Sequence, residues 1–387
     1  MTSLAVASAA CGSSGGSGGV VPDGGHATAH DGGHTTTHDG GANETGSSAR
    51  PDGGGTDGHV TTDAPTGSDA RKGSDAGGHE AATADAGDAG GVRDPNQPGP
   101  YLYKEIDSTI ASVPTSGDTN LAVHCAYPTS GPSAGPYPVI VVAHGLDLAP
   151  SEYYGYLQRL ASFGYVALTV AFPNSLLSPS DPNNAADLLA GLDWASSNST
   201  VGAISDVTTS GMTGHSEGGK DALYAATLDP RVKASIVMDP VDSAAGMTCT
   251  APACVTVATL LPSLHIPTGF LGETTDSTGG VAGMPCAPAA ENYQTFYART
   301  NSPSLEVTVT GAAHMDFLDD EATCGFVCGL CTAGTASNAT VDGLAHAYVA
   351  AFYERYLRGD TAYDTYLTGA AAQARYVATH EATITSK

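Results

Sequence analysis

The chain has 387 residues and a mass of 38.6 kDa, long enough for two or three domains, but residues 1–95 hold 23 of its 49 glycines, six of its 13 histidines and no aromatic residue or isoleucine. That quarter cannot bury enough apolar surface to offset the entropy of ordering, whereas all 25 Phe, Tyr and Trp residues follow it, enough for one large core. With 40 Asp and Glu against 14 Lys and Arg the chain is acidic; beyond residue 95, 27 acids and 10 bases leave a net −17, which repels phosphate backbones and argues against nucleic-acid binding.

At the start, an apolar stretch from Leu4 to Ala10 ends in Ser8-Ala9-Ala10 and is followed by Cys11, Gly and Ser. It resembles the end of a bacterial lipoprotein signal peptide, whose cysteine is acylated after cleavage, although a positively charged region is missing and Ser8 stands where a leucine is usual. Residues 1–11 are therefore expected to be a signal remnant with a lipidation site at Cys11, and the protein to be secreted or held at the cell envelope. Its only membrane contact would be that lipid anchor, since no run reaches the roughly eighteen apolar residues of a spanning helix.

Residues 12–98 read as a disordered, self-repelling tether with a loose repeat, seen in His30-Asp31-Gly32-Gly33 and His38-Asp39-Gly40-Gly41. His26, His30, His34 and His38 recur every fourth residue, which on a helix would form one metal-binding face. The interleaved glycines oppose that helix, so a solvated spacer is the expectation, with metal scavenging as the competing one.

Residues 99–387 form the expected folded domain. Tyr137–Ala143 is a continuous β-branched run of the kind buried in parallel sheets, and Tyr165–Phe172 and Lys233–Met238 are similar. Val207–Thr213, Thr268–Leu271 and Leu305–Thr310 add further strands. Helical stretches intervene at 150–163, 185–197 around the single tryptophan Trp194, 218–228 and 291–299, and a last helix fits 341–357. Such alternation predicts an α/β fold: a mostly parallel central sheet with helices on both faces.

Eight cysteines, at 11, 125, 249, 254, 286, 324, 328 and 331, suit an exported protein with disulfides. Without Cys11 seven remain, so one thiol stays unpaired. Cys286, Cys324, Cys328 and Cys331 could in spacing hold zinc, but in an oxidising compartment disulfides are preferred and no metal site is expected.

The strongest local signal is Gly214-His215-Ser216-Glu217-Gly218-Gly219, between a strand and a helix: the G-x-S-x-G elbow in its required context. A serine on so tight a turn needs neighbours without side-chain bulk, and the following helix aims its positive end at Ser216. His144-Gly145 closes an earlier strand where an oxyanion loop would begin. The backbone N–H groups of Leu146 and Glu217 are then the expected oxyanion donors, with His144 and Gly145 supporting the loop. Gly311-Ala312-Ala313-His314 follows the strand 305–310, which makes His314 the expected base. His124, His265, His346 and His380 read as structural or surface residues. For the acid, Asp239 after one strand and Asp276 or Glu273 after the next would serve equally to hold the imidazole tautomer.

These segments resemble the chlorophyllase family of α/β-hydrolases over about residues 101–367. The resemblance rests on Gly214 to Lys220, Met238-Asp239-Pro240-Val241-Asp242, Pro285-Cys286-Ala287-Pro288 with Asn292-Tyr293, and His314 to Asp320. It implies a serine carboxylesterase working through an acyl-enzyme, without metal or organic cofactor, on a small or lipid-like ester, and it favours Asp239 as the acid over Asp276. Plant members usually carry arginine where Glu217 stands, next to the expected oxyanion site. Secreted cutinase and polyester-hydrolase enzymes share the fold and offer a second reading; a non-catalytic tethered binding protein offers a third, which would have been favoured by loss of the serine or histidine. No protein partner is implied.

Overall fold

The computed structural model describes residues 92–173, 179–242 and 251–387. The expected lipidation site at Cys11, most of the tether and its histidines lie outside the described residues. From Val92 the chain is already packed: Arg375 pairs with Asp94 at 2.6 Å, and Arg159 donates to the Pro95 and Gln97 carbonyls. Native contacts therefore begin several residues ahead of the boundary expected at 99.

Among the described residues nine strands make one sheet: β1 (Leu102–Ser112), β2 (Thr119–Ser130), β3 (Tyr137–Ala143), β4 (Val166–Val170), β5 (Ser205–Gly214), β6 (Val232–Met238), β7 (Thr268–Gly272), β8 (Ser304–Val309) and β9 (Ala382–Ser386). Their order is β1-β2-β4-β3-β5-β6-β7-β8-β9. The six from β4 to β8 run parallel, while the β1–β2 hairpin and β9 are antiparallel additions at the two edges. This is the α/β-hydrolase architecture, with helices on both faces. The edge strands escaped expectation for a physical reason: β1 buries only Ile110, so its apolar period is faint. In β2, however, Leu121, Val123 and Cys125 are buried at alternate positions, a signal that could have been read.

Among the described residues five helices of seven or more residues cover the sheet: α1 (Tyr154–Ser162), α2 (Asp181–Ser197), α3 (Glu217–Leu228), α4 (Tyr293–Arg299) and α5 (Asn338–Tyr356). Successive strand residues point to opposite faces, and β3 shows what that does. Ile140 and Val142 join Leu157 and Leu160 of α1 and Phe352 of α5 in one core cluster. Val139 and Val141 join Leu188 of α2, Leu223 of α3 and Phe296 of α4 in the other. Both faces are therefore dry, which is why the central strands read as unbroken apolar runs. None of these helices is long and apolar enough to cross a membrane, among the described residues.

The four cysteines whose spacing could hold zinc are joined in disulfides instead. Cys286 pairs with Cys331 and Cys324 with Cys328, Cys254 is also disulfide-bonded, and Cys125 is a free, buried thiol. The Cys286–Cys331 bond ties the segment after β7 to the loop after β8. Those segments, with the ends of β3, β5 and β6, form the carboxyl edge of the parallel sheet, the place where open α/β sheets put their ligands.

Candidate active site

Ser216 lies between the end of β5 and the first turn of α3, with φ 58° and ψ −128°, a left-handed backbone that costs a non-glycine residue of order 1–3 kcal/mol. Its surroundings hold it there. The Ser216 N–H donates to the Met238 carbonyl at 3.0 Å and the Val241 N–H donates to the Ser216 carbonyl at 3.3 Å, so the turn is fastened to the end of β6. The two elbow glycines are dictated by contact: a Cβ at Gly218 would lie 2.3 Å from the His144 carbonyl oxygen, and one at Gly214 would lie 2.5 Å from the Gly218 oxygen. The expectation that the turn excludes side-chain bulk thus has a definite cause, and the same contact seats the 143–146 turn against α3.

The turn after β8 brings His314 to Ser216. The imidazole Nε2 lies 2.8 Å from the Ser216 hydroxyl, and Nδ1 lies 2.6 Å from Oδ2 of Asp239, at the end of β6. Both His314 and Asp239 are buried, and Ser216 is partly exposed. Burial works against a charged imidazole, but the Asp239 hydrogen bond and the negative charges of Asp239, Asp276 and Glu273 together outweigh it, so His314 titrates above the usual histidine range. Burial raises the Asp239 carboxyl, against the pull of its hydrogen bond with His314.

Asp276, the other acid weighed from sequence, does not touch the ring. Its Oδ2 accepts the backbone N–H of His314 at 2.8 Å and its Oδ1 accepts that of Thr332 at 2.7 Å. It therefore ties the histidine's main chain to the loop beside Cys331. Glu273 turns back on its own loop, accepting the Asp276 N–H at 2.7 Å, and burial lifts its carboxyl to about 7.

On the opposite side stands the loop after β3. His144 stacks on Phe172 at 4.0 Å, and its Nδ1, 3.0 Å from the Gly145 carbonyl, donates to that oxygen; burial lowers its pKa to about 4, so it is neutral. Leu148 N–H reaches the same carbonyl at 3.2 Å. Because a peptide is planar and trans, fixing the Gly145 oxygen points the Leu146 N–H the other way, and that N–H makes no backbone hydrogen bond among the described residues. The Glu217 N–H belongs to the first turn of α3, where helical amides lack an intrahelical acceptor.

Two residues that sequence reasoning passed over complete the site. Tyr153, wholly buried in the turn before α1, has its hydroxyl 2.9 Å from Nδ1 of His215 and 3.2 Å from the Gly145 nitrogen. His215, also buried, has Nε2 2.8 Å from the His314 carbonyl. His215 lay within the elbow motif as a variable position; nothing in the sequence linked it to a tyrosine 62 residues earlier. Among the described residues, Asp319, Asp342 and His346 have donor atoms close enough to share a cation. There His346 Nε2 lies 3.1 Å from Asp319 Oδ1, within hydrogen-bond range, and 3.3 Å from Asp342 Oδ1.

The family model described as Chlorophyllase matches residues 97–375. Chlorophyllase-1 of Arabidopsis thaliana is 30% identical over 243 residues, 59% of this chain and 75% of the relative. Chlorophyllase type 0 of Chenopodium album is 29% identical over 48% of this chain and 57% of its own length, so the match spans little more than half of that relative. Bis(hydroxyethyl) terephthalate hydrolase of Streptomyces coelicolor is 32% identical over 138 residues, 36% of this chain and 43% of that enzyme. With a family model matching well over half of its residues, the chain belongs to the chlorophyllase family of α/β-hydrolases and stands among ester hydrolases.

Proposed function

We propose that the protein is a serine carboxylic ester hydrolase in which Ser216 is the nucleophile, His314 the general base and acid, and Asp239 the carboxylate that orients it. The observation that carries the reading is the unbroken relay of 2.8 Å from Ser216 to His314 and 2.6 Å from His314 to Asp239. Nδ1–H of His314 donates to Asp239, which leaves the Nε2 lone pair facing the hydroxyl, the tautomer that proton removal from serine requires. The Ser216 oxygen attacks the ester carbonyl as its proton passes to Nε2. The resulting oxyanion is met by the N–H groups of Leu146 and Glu217, each donor worth roughly 3 kcal/mol in the transition state. His314 then protonates the departing alcohol, an acyl-Ser216 ester remains, and water activated by the same imidazole releases the acid. These groups supply nucleophile, proton carrier and charge stabilisation from the chain itself, with no cofactor in the sequence of steps.

The substrates we propose are uncharged, apolar or aromatic esters, as the domain's net −17 disfavours anionic ones. The relatives divide the finer choice: the chlorophyllases favour a pigment-like ester, and the terephthalate enzyme favours a small aromatic diester. An exported protein held at the envelope by a lipid on Cys11 is the location we propose, supported by the cystines at 286–331 and 324–328. The test is a panel of nitrophenyl esters of increasing acyl length beside chlorophyll and bis(hydroxyethyl) terephthalate. Turnover of short and medium esters that vanishes in Ser216→Ala is the expected result, and turnover that survives the substitution would remove Ser216 from the reaction.

A further inference from the structure

The two sides of the candidate site, the oxyanion loop after β3 and the histidine turn after β8, come from strands that are not neighbours in the sheet, with β5, β6 and β7 between them. Their relative position has to be held to within a fraction of an ångström for a tetrahedral intermediate to meet donors and base together. One chain of buried polar contacts spans the gap: Gly145 N to the Tyr153 hydroxyl at 3.2 Å, that hydroxyl to His215 Nδ1 at 2.9 Å, and His215 Nε2 to the His314 carbonyl at 2.8 Å.

Every proton in this chain has a forced place. A carbonyl oxygen can only accept, so His215 Nε2 carries a hydrogen and donates it to His314. Burial, reinforced by the nearby His314, holds His215 far below the usual histidine range, so the ring is neutral and Nδ1 is a bare acceptor. Tyr153 must then give its hydroxyl hydrogen to Nδ1, which leaves its oxygen lone pairs to accept the Gly145 N–H. Burial keeps the phenol protonated. All three groups are satisfied in one direction only, with no alternative pattern to which the chain could relax. Space is equally specified, because a Cβ at Gly145 would sit 2.8 Å from Leu148 Cδ1 and 3.2 Å from the Tyr153 oxygen.

We infer that Tyr153 and His215 are positioning residues that lock the oxyanion loop and the His314 turn into one register, so that the donor at Leu146 and the imidazole act on the same tetrahedral intermediate. Neither side chain is in contact with the Ser216 hydroxyl among the hydrogen bonds of the described residues, and their action runs through the Gly145 and His314 main chains. The inference rests on the serine-hydrolase reading above and adds to it the device that sets its geometry.

Tyr153→Phe removes one oxygen and leaves the packed ring. His215→Asn retains an acceptor near the Nδ1 position and gives up the reach to His314. Each full-length variant, and the pair combined, is compared with the parent for kcat and KM on a nitrophenyl ester, with kcat counted per site after stoichiometric titration by a nitrophenyl alkylphosphonate. The affinity of an alkyl boronic acid, which forms a tetrahedral adduct on serine, is measured beside it. Ser216→Ala is run first, and its failure to abolish turnover would sink the underlying reading, independently of the positioning role. With Ser216 confirmed, the expected result is a kcat lower by about 10- to 100-fold in Tyr153→Phe, KM within about twofold, a full complement of titratable sites, and a boronate dissociation constant that rises in step with the loss in kcat/KM. The double variant should lose little more than the worse single one, because one broken link already uncouples the two sides. Parent-like kcat in Tyr153→Phe, or a fall explained by fewer titratable sites, or losses that multiply in the double variant, would overturn the inference.

Discussion

The two acids near His314 differ in what they hold, and that difference sets a quantitative test. Asp239 accepts the imidazole Nδ1–H at 2.6 Å inside a fully buried pocket. In Asp239→Asn the amide can turn its NH2 toward the ring, which makes Nδ1 the acceptor and moves the imidazole hydrogen to Nε2, facing a serine that now cannot give up its proton. Loss of the correct tautomer costs serine hydrolases about four orders of magnitude, or about 5.4 kcal/mol at ~1.36 kcal/mol per decade. Asp276 instead accepts two backbone N–H groups, from His314 and Thr332. Asp276→Asn can satisfy one of them while setting an NH2 against the other. That costs about 1–3 kcal/mol of stability for an unmet buried donor but leaves the ring's own partner intact, so turnover should fall less than about tenfold. Steady-state hydrolysis of a nitrophenyl ester, with urea unfolding of each variant, separates the two effects. A folded but inactive Asp276→Asn beside an Asp239→Asn that still turns over would refute the assignment of Asp239.

Three further outcomes follow from the same contacts. Gly218→Ala puts a methyl group 2.3 Å from the His144 carbonyl, and the forced shift should cost about 1–3 kcal/mol in urea denaturation and at least about a hundredfold in kcat through displacement of Ser216 and the 143–146 turn. The His314 pKa is raised above the usual ~6.5, and the reaction needs the neutral ring. The acid limb of kcat/KM should therefore have its midpoint above ~6.5, while the stability gained from protonating His314 is complete below ~6.5 and lost as pH rises through the folded-state value; an acid limb well below ~6 would contradict both. Removing the Cys286–Cys331 bond by paired alanine substitution opens a 45-residue separation, worth about 4 kcal/mol by the chain-entropy relation, and a loss under ~1 kcal/mol in urea would show that the loop is already held by other contacts.

How much of this was legible depended on whether a residue's role was local. The central strands could be read because burial on both faces writes a continuous apolar run, as in Tyr137–Ala143, where the expected and observed bounds coincide. The elbow was legible because the motif is contiguous and Gly214 answers a steric demand from Gly218, four residues on, although Gly218 answers one from the distant His144 carbonyl. Asp239 and Asp276 could not be separated by spacing, since each follows a parallel strand at the same edge of the sheet. Only the side-chain direction distinguishes them, and the positive φ of 38° at Asp239 that turns its carboxylate toward the ring has no signature in the letters. The same holds for Tyr153 and His215, whose pairing exists only once α1 has packed across β3.

The position after the serine shows how a difference between relatives acquires meaning only from its surroundings. At 217, where the family resemblance leads one to expect arginine, a side chain facing the substrate would be the simple expectation, because the proposed mechanism gives the Glu217 N–H to the oxyanion. Its side chain is instead buried, with Oε1 3.9 Å from Lys220 Nζ, and Lys220 itself lies 2.9 Å from Asp181 at the start of α2. Asp221, held by Asn184 at 2.8 Å, lies in the same interior group, and burial together with the charges of Glu217 and Asp181 pushes its carboxyl well above the usual range. A lone buried ammonium would be costly, so the acidic residue at 217 and the lysine at 220 belong to one charge arrangement, which an arginine at 217 would reverse in sign. An arginine at 217 would therefore act first on how α3 is anchored to α2 beneath the serine. On the proposed mechanism its bearing on substrate choice runs through the position of that helix, with only the backbone of Glu217 assigned to the ester.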